Sequence, residues 1–198
     1  MDRFNRPQGI TWKDDETLVI ADTDNHRIKA VKLDGEVLWI LGQEGWKDGY
    51  FHHPLGVDMD TQGNLLVCEP RSGYLRGLGL DAFQRQSTQG NRLQIFGPDL
   101  KPVKRSGHMH HMSGRFDRQF KDLVRVWAVP DGGAYVTDSG NHRILELDAE
   151  LRTKRVLQKW PFATMRYPQG VHGDGAGRLA IADTGNNRVL VIGKNGDI

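Results

Sequence analysis

Ile20-Ala21-Asp22-Thr23-Asp24-Asn25-His26-Arg27-Ile28 is a phrase the chain writes more than once. Val136-Thr137-Asp138-Ser139-Gly140-Asn141-His142-Arg143-Ile144 repeats it, and so does Ile181-Ala182-Asp183-Thr184-Gly185-Asn186-Asn187-Arg188-Val189. A fourth copy is split, starting at Val67-Cys68-Glu69-Pro70 and finishing at Gly90-Asn91-Arg92-Leu93. In each, an apolar run ends on an acidic residue, short polar residues turn the chain, and Arg opens a second apolar run. Asp, Asn and Gly suit such a turn because they tolerate positive φ and bond to nearby backbone. The phrase is a β-hairpin cassette, and its recurrence makes the chain a repeat protein.

The match extends upstream. Thirteen residues before Ile20, Val67 and Ile181 stand Pro7, Pro54 and Pro168, each opening Pro-x-Gly-[Ile/Val]. The third copy has Leu123-Val124-Arg125-Val126 there, with both Pro and Gly replaced. The unit is roughly 45 residues, the length of a propeller blade. P-x-G-[IV], a turn, an apolar triplet and A-D-T-x-N-x-R-[IV] together resemble the NHL repeat over nearly the whole chain. The resemblance implies an all-β propeller of four-stranded antiparallel blades. Four blades are visible, at approximately 7–53, 54–122, 123–167 and 168–198, the last without its outer strand. NHL propellers usually have six, so the four are expected to be part of a longer propeller, a four-bladed ring, or one half of a pair of chains. An open row would invite self-association through its ends.

Composition narrows the function classes. The 198 residues make one domain with room for a real core. A net charge of +2 with 26% charged residues marks neither a nucleic-acid binder nor an acidic protein. The single Cys68 excludes an internal disulfide. No apolar run reaches the ~18 residues of a membrane span, and Met1 lies too close to the first repeat for a leader. The chain as written is expected in the cytoplasm; a trimmed form of an exported protein would look the same.

In the first blade, Gly9–Lys13, Thr17–Ala21, Arg27–Leu33 and Glu36–Leu41 read as strands a to d, with Asp34-Gly35 as a favoured hairpin turn. Phe4, Phe51 and Phe120, with Met165, precede the repeat Pro or its substitute by three residues and are expected to pack between blades. The second blade departs from the pattern twice. An insertion at 71–88 sits where the b–c turn belongs, and a long connector at 104–119 carries Gly107-His108-Met109-His110-His111-Met112-Ser113-Gly114.

Several residue sets invite a chemical reading. The cassette pairs Asp22/Arg27, Asp138/Arg143 and Asp183/Arg188 recur once per blade, which suits a structural clamp better than catalysis. Strand a lines the channel of a propeller, and there Thr11, Asp58, Trp127 and His172 fall at one equivalent position, with Arg125 in place of the repeat glycine. Asp58, Arg125, Trp127 and His172 are thus the channel-mouth candidates for anion binding or proton exchange, the enzyme alternative of the lyase or hydrolase type. Some relatives with this fold are peptide-amidating lyases, which carry a zinc-binding histidine right after the repeat Pro. Here those positions are Gln8, Leu55, Val124 and Gln169, a departure from that pattern. His108, His110 and His111 are soft-metal ligands by type, but their adjacency lacks the spacing of a site. No metal and no cofactor are expected.

Charge is concentrated in one stretch. From Arg71 to Lys121 there are ten basic and three acidic residues, a net +7, which leaves −5 for the rest. Both insertions lie there. An irregular basic face on a regular scaffold points to an anionic partner, a protein or other macromolecule. Arg71, Tyr74, Arg76, Arg85, Arg105 and Arg115 are the residues expected to carry it. RNA is the alternative, although Tyr74 and Phe83 alone are few aromatics for base stacking. Binding is favoured over catalysis.

Overall fold

The computed structural model describes residues 3–70, 91–107, 119–130, 132–160 and 163–197. They form seventeen strands. Blade one is β1 (Ile10–Asp14), β2 (Thr17–Asp22), β3 (Arg27–Lys32) and β4 (Val37–Leu41). Blade two is β5 (Gly56–Met59), β6 (Leu65–Glu69), β7 (Arg92–Phe96) and β8 (Pro102–Ser106). Blade three is β9 (Leu123–Ala128), β10 (Ala134–Asp138), β11 (Arg143–Leu147) and β12 (Thr153–Leu157). A two-stranded hairpin, β13 (Lys159–Trp160) and β14 (Ala163–Thr164), precedes the three-stranded blade four, β15 (Gly170–Gly173), β16 (Leu179–Asp183) and β17 (Arg188–Ile192). Every blade is an antiparallel meander in sequence order, and the innermost strands adjoin as β1, β5, β9, β15. This is the arrangement of a β-propeller. Among the described residues no helix is long and apolar enough to cross a membrane.

The core lies between blades. Alternate residues of a strand face opposite sides, so Leu65 and Val67 of β6 pack on blade one while Leu66 and Cys68 pack on blade three. All five residues of β6 are buried for that reason, whereas Ala180 and Ala182 of β16 are exposed between buried neighbours. Phe51, Phe120 and Met165 fill the seams between blades and are buried. Phe4 is partly exposed, its ring 4.6 Å from Lys29 Nζ. Burial raises the Cys68 thiol to about 12.

The outer strand of blade two runs further than its sequence indicates. Lys104 and Arg105 pair with Ile95 and Gln94 in β8, so the connector after that blade begins beyond Ser106. The β13–β14 hairpin is a further element without a signal in the repeat, since Lys159 and Trp160 follow Leu157 without a turn residue between.

Candidate functional site

The cassette has one geometry at every blade. Its carboxylate accepts a backbone N–H from the connector that enters the same blade: Asp22 from Asn5 (2.7 Å), Glu69 from His52 (2.6 Å), Asp138 from Lys121 (2.6 Å) and Asp183 from Arg166 (2.7 Å). The other carboxylate oxygen accepts Nε of the cassette arginine, at 2.8 Å for Arg27, 2.6 Å for Arg92, 2.7 Å for Arg143 and 2.8 Å for Arg188. Those arginines also reach a connector carbonyl: Arg3, Tyr50, Gln119 or Thr164. The turn between carboxylate and arginine is a single turn of 3-10 helix closed by a left-handed residue, His26 (φ 54°), His142 (φ 59°) or Asn187 (φ 51°). In blade two the left-handed residue is Asn91 (φ 56°). Its side chain clips the next blade. His26 Nδ1 accepts the His53 amide (3.1 Å), Asn91 Oδ1 the Asp122 amide (2.6 Å) and His142 Nδ1 the Tyr167 amide (3.1 Å). The carboxylate therefore secures a blade's own entrance and the left-handed residue secures its neighbour's.

Strand a brings the channel candidates into one row, but ties up the acid. Asp58 Oδ1 accepts from Thr11 Oγ1 (2.7 Å) and Oδ2 from the Ala128 amide (2.8 Å), so this carboxylate links blades one, two and three. Arg125 donates to the Leu55 carbonyl (2.9 Å) and the Gln8 carbonyl (3.0 Å), bracing the entrances of the first two blades. Trp127 lies between Tyr135 (5.7 Å) and His172 (5.8 Å), and His172 is exposed. The row is a brace with the exposed His172 imidazole at its end.

The basic stretch divides in two. Arg92 is buried against Glu69, Lys101 pairs with Asp99, Lys104 donates to the Ala149 carbonyl, and Arg105 pairs with Asp48 at 2.8 Å. Arg71, Tyr74, Arg76, Arg85 and Arg115, like His108, His110 and His111, lie outside the described residues. Their segments are anchored close together, however. One leaves after Glu69 and returns at Asn91, the other leaves after Ser106, and β7 pairs with both β6 and β8 at these ends, through Glu69 with Arg92 and Leu93 with Ser106. Both insertions spring from one rim of one blade.

On the same rim, between blades one and two, stands a cluster that the sequence did not point out. His26, His52 and His53 each offer a ligand atom, all within 4.8 Å of one another. Glu69 fixes the His52 amide, His26 fixes the His53 amide, and His53 itself is left-handed (φ 54°). That turn swings two adjacent rings together, with Nδ1 to Nδ1 at 2.9 Å. Trp46 stacks flat on His52, 4.5 Å away. Burial, reinforced by the charge of His26, lowers both His52 and His53 to about 4. The available sequence signal was the doublet directly before Pro54; only the 3-10 turn of blade one could add His26 to it. On the opposite face a groove of ≈ 590 Å³ opens between the same two blades, lined by Trp12, Trp39, Met59 and Pro98 among others.

No protein-family model matches the chain, and no curated protein matches it. Solved structures do. A protein of unknown function from Bacteroides caccae superposes with a TM-score of 0.64 at 16% identity, covering 97% of this chain and 65% of its own. Virginiamycin B lyase from Staphylococcus aureus gives 0.61 at 16% identity, over 99% of this chain and 55% of the lyase. The WD40 repeats of RRP9 give 0.56 at 14% identity, over 96% and 52%. Such likeness carries the propeller fold alone, and the chain spans less than two thirds of the length of each of these structures.

Proposed function

We infer that the chain is an NHL-repeat propeller acting as a binding scaffold, whose partner is an anionic protein surface docking on the insertions of blade two. What supports this most is the common rim from which both insertions leave a regular scaffold, since binding residues concentrate on loops held by rigid elements. Arg92, Lys101, Lys104 and Arg105 are engaged with the fold itself. The charge for a partner therefore falls to Arg71, Arg76, Arg85 and Arg115, with Tyr74 as an apolar anchor. An enzyme reading at the channel draws less support, because both oxygens of Asp58 are taken.

The test is a pull-down with the native chain and with a triple Arg76→Glu, Arg85→Glu, Arg115→Glu variant, with and without ribonuclease. The expected partner is a protein, retained after ribonuclease, lost with the charge reversal and released by salt as the Debye length falls to ~3 Å at 1 M. Retention that vanishes with ribonuclease would replace the protein by RNA. Binding indifferent to both reversal and salt would remove the basic rim from the function altogether.

A further inference from the structure

We propose that His52 and His53, with His26 beside them, bind one divalent transition-metal ion of the zinc, copper or nickel class. Adjacent side chains normally diverge. Here the backbone is held at both amides, by Glu69 and by His26, and the left-handed turn at His53 brings the two Nδ1 atoms to 2.9 Å. With neutral rings that contact needs one hydrogen between two basic nitrogens, a place where a cation can stand instead.

The outward nitrogens complete the picture. His52 Nε2 lies 3.7 Å from Glu44 Oε1, and His53 Nε2 lies 3.8 Å from Asp24 Oδ1. A ring that ligates through Nδ1 carries its hydrogen on Nε2, and a carboxylate behind that hydrogen orients the ligand and raises its basicity. Asp24 Oδ1 is buried and, among the described residues, has no hydrogen-bond partner, while Oδ2 accepts from Arg6. His26 is the third nitrogen donor. Its Nδ1 accepts the His53 amide, so His26 both holds the doublet in place and stands within reach of the ion. Imidazole donors select zinc, copper or nickel over magnesium or calcium.

The repeat supplies its own control. At the junction of blades three and four the same clips hold His142, Arg166 and Tyr167. There the single histidine packs edge-on against Tyr167, 4.2 Å away, and the second and third imidazoles are missing. The backbone geometry is thus general, and the histidine doublet is particular to one junction.

The experiment is calorimetric titration of the untagged chain with zinc chloride, and with magnesium chloride as the comparison. Cobalt(II) absorption reports the ligand field. One zinc per chain is expected, with no heat from magnesium and a thermal midpoint that rises with zinc. Binding should disappear in a His52→Ala, His53→Ala variant and persist in a His108→Ala, His110→Ala, His111→Ala variant. Should the double variant fail to fold, His52→Gln alone keeps the backbone clips and should still abolish binding. Asp24→Asn should weaken zinc by about tenfold. Absence of zinc binding by the native chain overturns the proposal. So does binding that survives in folded His52→Gln, or that is lost only with His108, His110 and His111.

Discussion

Arg143 and Arg188 occupy the same place in their repeats but not the same medium. Asp138 and Asp183 are both fully buried, but the Arg143 side chain is 8% exposed and that of Arg188 35%. Removing one member of a buried pair leaves an uncompensated charge and costs about 3–5 kcal/mol; where one partner is partly open to water, screening makes the loss smaller. Arg143→Ala is therefore expected to lower the thermal midpoint much more than Arg188→Ala, in both cases without touching a ligand. Equal midpoints for the two variants, or a binding defect in folded Arg143→Ala, would contradict the clamp. The pairs were legible as structural from their recurrence alone. Their second function, receiving a connector amide on the free oxygen, was not, because Asp138 meets Lys121 only once the blade has folded over its own entrance.

At the scale of the element, the innermost strands approach so closely that the repeat glycine has a steric reason. A Cβ on Gly56 would stand 2.4 Å from Cys68 Sγ and 2.9 Å from the Val124 carbonyl, and one on Gly9 would stand 2.3 Å from the Leu55 carbonyl. Overpacking of this kind typically costs about 1–3 kcal/mol, more where the obstacle is backbone. Gly56→Ala should destabilise the chain by at least that amount in chemical denaturation. Gly35→Asn, with nothing within 4 Å of its Cβ, should cost less than Gly56→Ala, only the backbone strain of holding a side chain at a φ of +93°. A neutral Gly56→Ala would mean that the strands can separate without loss. Strand positions were readable because alternation and turn residues are local properties: β7 and β17 span the stretches that their patterns mark. The end of β8 was not, since Lys104 and Arg105 look like loop residues until β7 offers them a partner and Asp48 a counter-charge.

For the whole molecule, the two ends of the blade row present unlike faces. Val67, Val136 and Ile181 stand at equivalent cassette positions and each faces the preceding blade. Ile20 is their counterpart in blade one, sharing a cross-strand row with Ile10, while Trp12 lies on the same side. Ile10 and Trp12 are 60% and 58% exposed. Blade four shows the opposite side, with exposed Val189 and Val191 where Ile28 and Ala30 of blade one pack on blade two. A face of one kind fits a face of the other, so this chain is expected to associate head to tail with a second copy, a heterologous contact. Sedimentation should show a mass that climbs with concentration and stays at the monomer in Trp12→Lys or Val191→Lys; a native chain monomeric throughout would dismiss the idea. The four blades and their order were determined by the sequence itself, because each strand and turn depends on residues within one repeat. Tertiary structure alone decided what the polar residues do. Asp58 is consumed as a brace by groups 47 and 70 residues away, and His26 reaches the His52–His53 doublet across 27 residues. No local pattern encodes those meetings, since they depend on how one blade packs on the next.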